Sequence, residues 1–256
     1  MKLKSVSQRH RAYKAISEVV EPGFKLYSTL LMVVVFLVFL GALSSTRFCI
    51  LFNRQIDLQV FFIVLQTYVI LMITELYSFE YGRQTLWLSL LTGSLITGFS
   101  AISYFAQDSL VMPTDVAWFY IDNLDLLWQS EPLKNVVFFI IMILTSQIFA
   151  LAKHYFVGRL LAIRFFLAMC FFQIGYAVFD IIQGLLQHYR FSIVAIASLN
   201  IFFIRLLVSC LGVLVFVGLT RVVMRYEQVI ISDHRQKYKI FRFIVNTEKM
   251  NISKME

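Results

Sequence analysis

The chain has 256 residues, 59% of them hydrophobic and only 15% charged, with a mean hydropathy of +0.77 and a net charge of +8. Typical globular proteins are roughly 45–50% apolar and about 25% charged, and a soluble chain of this size cannot hide so much apolar surface, so lipid is the solvent. Three cysteines, with Cys170 and Cys210 inside long apolar runs, exclude a disulfide scaffold.

Residues 1–25 are basic and polar. Within 8–21, Ala12, Ala15, Ile16 and Val19 recur at helical spacing opposite Arg11, Lys14 and Glu18. That pattern predicts a helix lying on the membrane surface, ended by Pro22-Gly23. The segment is too long and too polar for the lead of a cleavable signal peptide, so the first apolar run is expected to stay as an anchor.

Six apolar stretches follow, at 26–45, 58–77, 86–106, 135–153, 161–186 and 192–220. Crossing a bilayer core of ~30 Å takes about 20 apolar residues in a helix. Transmembrane strands show short alternating segments instead, and backbone groups in lipid must pair within the span. The expected fold is all-α, a polytopic membrane protein with six transmembrane helices. The domain plan is a cytoplasmic basic segment 1–25, a transmembrane domain 26–220 with an external loop 107–134, and a basic tail 221–256.

Lys and Arg set the orientation, because they accumulate on the cytoplasmic side. Lys2, Lys4, Arg9, Arg11, Lys14, Lys25, Arg83, Lys153, Arg159, Arg164 and eight residues from Arg221 onward share one side, 18 of the 23. Arg47, Arg54, Lys134 and Arg190 take the other, and Arg205 falls inside a span. Both termini are therefore expected in the cytoplasm. Loop 107–134 carries Asp108, Asp115, Asp122, Asp125 and Glu131 against Lys134. It also holds Trp118, Phe119, Tyr120 and Trp128, too apolar to leave in water, and is expected to be partly ordered over the outer mouth. The basic residues are spread along cytoplasmic edges beside anionic lipid, which argues against nucleic acid as a partner. In 226–245, Ile240, Phe241, Ile244 and Val245 alternate with Lys237, Lys239 and Arg242. This reads as a second surface-lying helix, or as a docking segment for a cytoplasmic partner or a second copy.

Catalytic signatures are missing from the sequence. His10, His154, His188 and His234 lie outside the spans or at their edges, with no second ligand at metal spacing. There is no glycine-rich phosphate loop and no serine elbow. Neither an enzyme, a metal nor a cofactor is expected. Polar residues within the spans are the remaining candidates, because hydrocarbon makes them costly. These are Gln66, Thr74 and Glu75, then Ser146 and Gln147, then Gln173, Tyr176 and Asp180, then Asn200, Arg205 and Ser209. Gln147, Gln173 and Arg205 each fall ~18–20 Å from the start of their span, near mid-depth. Single amides and hydroxyls also serve as glue between helices, and Arg205 and Asp180 have the option of neutralising each other. A convergent set of amides, a guanidinium, a tyrosine and carboxylates suits a planar, hydrogen-bonding solute.

The run Thr74-Glu75-Leu76-Tyr77, with Tyr81-Gly82 and Trp87-Leu88, resembles the "TD…EVYG…W" signature of the VUT family of six-helix bacterial queuosine-precursor transporters. Ser146-Gln147 is similar to that family's "SQ", Gln173 to its second "SQxxD", and Arg205 to the basic residue of "KxxxxLLD". Three positions that carry acids in the family read Ala150, Tyr176 and Gly212 here, and Phe79-Glu80 are in swapped order. The resemblance implies uptake of a 7-deazaguanine-type base across the bacterial inner membrane. Glu75, Gln147, Gln173, Tyr176 and Arg205 would then be the substrate-binding residues. The contrasting expectation is a membrane scaffold or assembly subunit, in which the amides are only glue.

Overall fold

The computed structural model describes residues 26–44, 48–51, 54–105, 114–156, 160–186, 191–227, 229–232 and 251–254. The surface helix expected within 8–21 lies outside the described residues. Among the described residues, six helices are long and apolar enough to cross a membrane. They are α1 (Tyr27–Ser44), α2 (Gln59–Tyr77), α3 (Phe79–Phe105), α4 (Thr114–Tyr155), α5 (Leu161–Leu186) and α6 (Phe191–Glu227). The fold is all-α in its spans. Outside them lie two short antiparallel ladders: β1 (Phe48–Leu51) pairs with β2 (Arg54–Asp57), and β3 (Val229–Ser232) with β4 (Asn251–Lys254).

One helix organises the other five. α2 is 78% buried over its apolar window, whereas α6 is 22% and α3 28% buried. A helix hydrophobic all round belongs at the centre of a bundle, and α2 reads Val-Phe-Phe-Ile-Val and Val-Ile-Leu-Met-Ile with few breaks. Tyr68, Ile70, Leu71, Met72 and Ile73 are fully enclosed by Phe138, Met142, Phe165, Phe172 and Phe216 from the surrounding helices. The outer helices turn Phe36, Phe99, Ile140, Phe166, Leu199 and Leu214 outward, the apolar rim that a lipid-embedded bundle needs.

The chain crosses back and forth, so the two ends of the bundle are distinct. At one end, called here the ladder end, α1 finishes, the β1–β2 ladder links it to α2, and Gln59 meets Glu131 of α4. At the other, the tail end, Tyr27 of α1 stacks edge-on with Tyr77 and Tyr81. There α6 also finishes, at Glu227, beside the Leu26 N–H. The first and last spans thus begin and end on the same face.

Four boundaries differ from expectation. α3 starts at Phe79, not near 86, because only Ser78 interrupts the helical backbone after Tyr77. Residues 114–134, expected as loop, are helical and run straight into the fourth span. Nothing between Thr114 and Pro132 breaks a helix, and Pro132 costs that helix one backbone bond without ending it. α6 extends to Glu227, ~55 Å of helix, well beyond a ~30 Å core. Of the surface helix expected over 226–245, residues 229–232 form β3 instead, and 233–245 lie outside the described residues.

The α2–α3 joint is strained. Ser78 has φ 91° and ψ 164°, a region that glycine alone enters freely, and its buried hydroxyl has no partner among the described residues. Ser78→Gly removes both penalties. It is expected to raise the unfolding free energy by ~1–3 kcal/mol, read as a higher Tm in detergent, with no change in helix content by circular dichroism.

Candidate functional site

The polar side chains of the spans gather at two levels. Near the ladder end, α2, α4, α5 and α6 surround a cavity of about 420 Å³. Arg205 enters it from α6. Gly184 lies against Val194, and Gln173 against Ser209, so α5 and α6 run antiparallel with Asp180 one turn nearer the ladder end than Arg205. The arginine reaches along that turn, and its Nη1 donates to Asp180 Oδ2 at 2.7 Å. Its guanidinium also sits over the Tyr176 ring, 5.2 Å from the centroid, a cation–π contact. The pair is 11% and 21% exposed, so both partners present polar atoms to the cavity.

Lys134 approaches from α4. Its Nζ donates to Glu131 Oε1 at 3.0 Å and to Gln59 Oε1 at 3.3 Å, while Gln59 Nε2 donates to Glu131 Oε2 at 2.9 Å. This closed triangle separates the main cavity from a smaller one of about 30 Å³ beside Gln66, Ser89 and Asn135, room for one water. Asp57 stands at the mouth, where its Oδ1 accepts the Gln59 N–H at 2.8 Å and caps α2. Burial pushes its carboxyl up to about 6, against the pull of that N–H and of the Lys134 ammonium.

Below the cavity the bundle is packed. Tyr176 forms the floor, touching Phe172 and Phe179. Next comes a layer in which Tyr68 stacks on Phe216 at 4.6 Å and donates to the Ser209 carbonyl. Gln173 Nε2 donates to Ser209 Oγ at 3.0 Å in the same layer, and its buried Oε1 has no partner among the described residues.

The tail end is shut by a second ion pair. Arg164 of α5 holds both carboxylate oxygens of Glu75, at 2.7 and 2.9 Å. The pair is 0% and 3% exposed, with Phe149 against the guanidinium at 5.5 Å. Lys153 of α4 donates to the Glu75 backbone carbonyl at 2.8 Å. A turn further on, the Tyr77 hydroxyl donates to Glu227 Oε1 at 2.7 Å, and the Leu26 N–H donates to the same oxygen.

The structure therefore divides the five residues expected to bind substrate. Tyr176 and Arg205 line the cavity, and Gln173 lies just beneath its floor. Glu75 is at the opposite end with both oxygens engaged. Gln147 is half-buried on α4 and lines neither cavity, while its neighbour Ser146 is fully buried, its hydroxyl without a partner among the described residues. Arg164, counted above with the cytoplasmic charges, is buried inside α5 and partners Glu75. Asp57, Gln59, Glu131 and Lys134 were missed because they sit at span edges, where charge is ordinary. Arg164 had a signal, since position 164 falls within the apolar run 161–186. Among the described residues no group of three His, Cys, Asp or Glu could hold a metal ion.

No protein-family model, curated protein or solved structure matches the chain.

Breaking a buried ion pair leaves one charge without its counter-ion and costs about 3–5 kcal/mol, whereas replacing both partners with apolar groups is close to neutral. Glu75→Leu alone and Arg164→Leu alone are each expected to lower stability by about that amount. The joint Glu75→Leu/Arg164→Leu protein recovers most of the loss, as measured by thermal unfolding in one detergent.

Proposed function

We propose that the chain is a membrane transporter for a small planar solute, held in the ladder-end cavity and released past the tail end. The observation that supports this best is the contrast between the two ion pairs. Arg205–Asp180 opens onto a cavity of about 420 Å³, within the roughly 300–1,000 Å³ of small-molecule sites. Glu75–Arg164 is dry and ties α2 to α5 at the far end. A bundle with one end open onto a chamber that holds an ion pair and the other end latched has the form of one state of an alternating-access carrier.

In that reading the solute lies on the Tyr176 ring with its hydrogen-bonding edge toward Arg205, Gln183 and Ser198. Arg205 offers several donors in a fixed plane, suited to a ring carbonyl. Gln173 becomes reachable when Tyr176 moves, and its free Oε1 would accept from a ring N–H. Release requires Glu75 and Arg164 to part, which makes them gating residues in this account. The likeness to the VUT family supports a 7-deazaguanine-type base as the solute and the bacterial inner membrane as the location. The chain itself supplies no reaction in this account. Transport is carried by the solute gradient or by a coupled ion.

Uptake of labelled 7-deazaguanine by cells expressing the chain tests the proposal. Expression is expected to raise uptake. Arg205→Leu abolishes it, and Arg205→Leu/Asp180→Leu restores folding, read as parental Tm, without restoring uptake. If the double variant transports at the parental rate, Arg205 is a structural partner only. If the parent shows no uptake above cells lacking the chain, the bundle is better read as a scaffold.

A further inference from the structure

The charges around the cavity do not cancel. Arg205 is matched by Asp180, and Lys134 by Glu131. Asp57 lines the same cavity and has no ion-pair partner among the described residues. Its one hydrogen bond comes from a neutral backbone N–H. Among the described residues, two bases therefore stand against three acids: Lys134 from α4, Arg205 from α6, Asp180 from α5 and Asp57 ahead of α2 line the cavity, and Glu131 of α4 stands behind Lys134 on the smaller one. Tyr176 lies beneath them as the floor.

We infer that the cavity takes its solute together with one positive charge, and that Asp57 is the carboxylate that meets it. This rests on the transporter reading above and adds the charge that accompanies the solute. Two sources supply the same charge. A proton from water at the cavity mouth can form an O–H bond on Asp57 while a neutral solute binds. Alternatively, a solute bearing a protonated amine or amidine can place its own cation there. In both cases the occupied cavity is neutral. That matters in a chamber walled by apolar helices, where an unmatched charge is costly.

The position of Asp57 supports the inference independently of the count. It lines the cavity just ahead of α2, within electrostatic reach of both Lys134 and Arg205. Its carboxyl titrates at about 6 in the folded chain, against ~4 when unfolded. A proton is thus held more tightly by the folded state. The stabilising contribution is fully present below about pH 4 and is lost as pH rises through about 6.

The test uses the full chain in detergent and Asp57→Asn, which keeps the oxygen that accepts the Gln59 N–H and removes only the charge. The parent's Tm is expected to fall between about pH 4 and pH 7, and Asp57→Asn to flatten that fall by more than half. An unchanged pH profile in Asp57→Asn overturns the inference, and this readout needs neither solute nor transport. Two probes then separate the sources. If the charge is a proton, 7-deazaguanine raises the parent's Tm more at about pH 5.5 than at about pH 7.5, and the difference vanishes in Asp57→Asn. If the charge belongs to the solute, benzamidine stabilises the parent at about pH 7.5, its neutral isostere benzamide does not, and Asp57→Asn loses the effect. Stabilisation by a neutral probe that is equal at both pH values and in both proteins contradicts the inference while leaving the transporter reading intact. A flattened pH profile with no uptake by cells does the reverse.

Discussion

The structure depends on α2 being enclosed on every side. Fifteen of its nineteen residues are buried, so the polar groups it carries must find partners within the protein, and those that bond to another helix fix a neighbour. Gln59 reaches Glu131 and Lys134 on α4. Gln66 Nε2 donates to Ser89 on α3 at 2.6 Å, Tyr68 donates to the Ser209 carbonyl on α6, and Glu75 binds Arg164 on α5. Thr67 and Thr74 satisfy their hydroxyls on α2's own carbonyls, which leaves them no hold on a neighbour. Lipid offers helices little hydrophobic reason to associate, so these specific bonds and close ring packing set which helix sits where.

The same helix carries one end of each device that bears on function. Gln59 belongs to the open end and Glu75 to the closed one, sixteen residues or ~24 Å apart along a single rod. A tilt of α2 that breaks the Glu75–Arg164 contact must also move Gln59 against Glu131 and Lys134. For the proposed carrier, this would be a physical route by which the two ends alternate rather than open together. Ser78 lies three residues beyond Glu75, in a backbone conformation that costs ~1–3 kcal/mol.

Much of the fold is legible in the sequence because its signal is repeated. Twenty-residue apolar runs are unambiguous, and all six appear as helices. Boundaries failed where polar residues remain helical. Glu80 and Arg83 read as loop but belong to the first turn or two of α3, and 114–134 read as loop although nothing in it forbids a helix. The site was only half legible. Tyr176, Gln173 and Arg205 were visible as polar residues at mid-depth, and the structure brings Tyr176 and Arg205 to one cavity. Pairing was not visible, since a sequence shows charges without their partners. Arg205 took Asp180 because the two lie on adjacent antiparallel helices, while Glu75 took an arginine that charge counting had placed in water. The acids at the cavity mouth were hidden for a simpler reason: at a span edge, Asp57 and Glu131 look like any loop carboxylates.

The central claim is that the Glu75–Arg164 pair holds the tail end shut while the cavity stands open at the ladder end. A cysteine at Gln183, half-buried in the cavity wall, in a chain whose three native cysteines are changed to serine, measures this in sealed vesicles with a membrane-impermeant thiol reagent. The account predicts labelling of Gln183→Cys from the ladder-end face and protection from the opposite face. It predicts that adding Glu75→Gln lowers the first and makes the second appear. Labelling from the ladder-end face that is unchanged by Glu75→Gln, with none gained from the tail-end face, would contradict it.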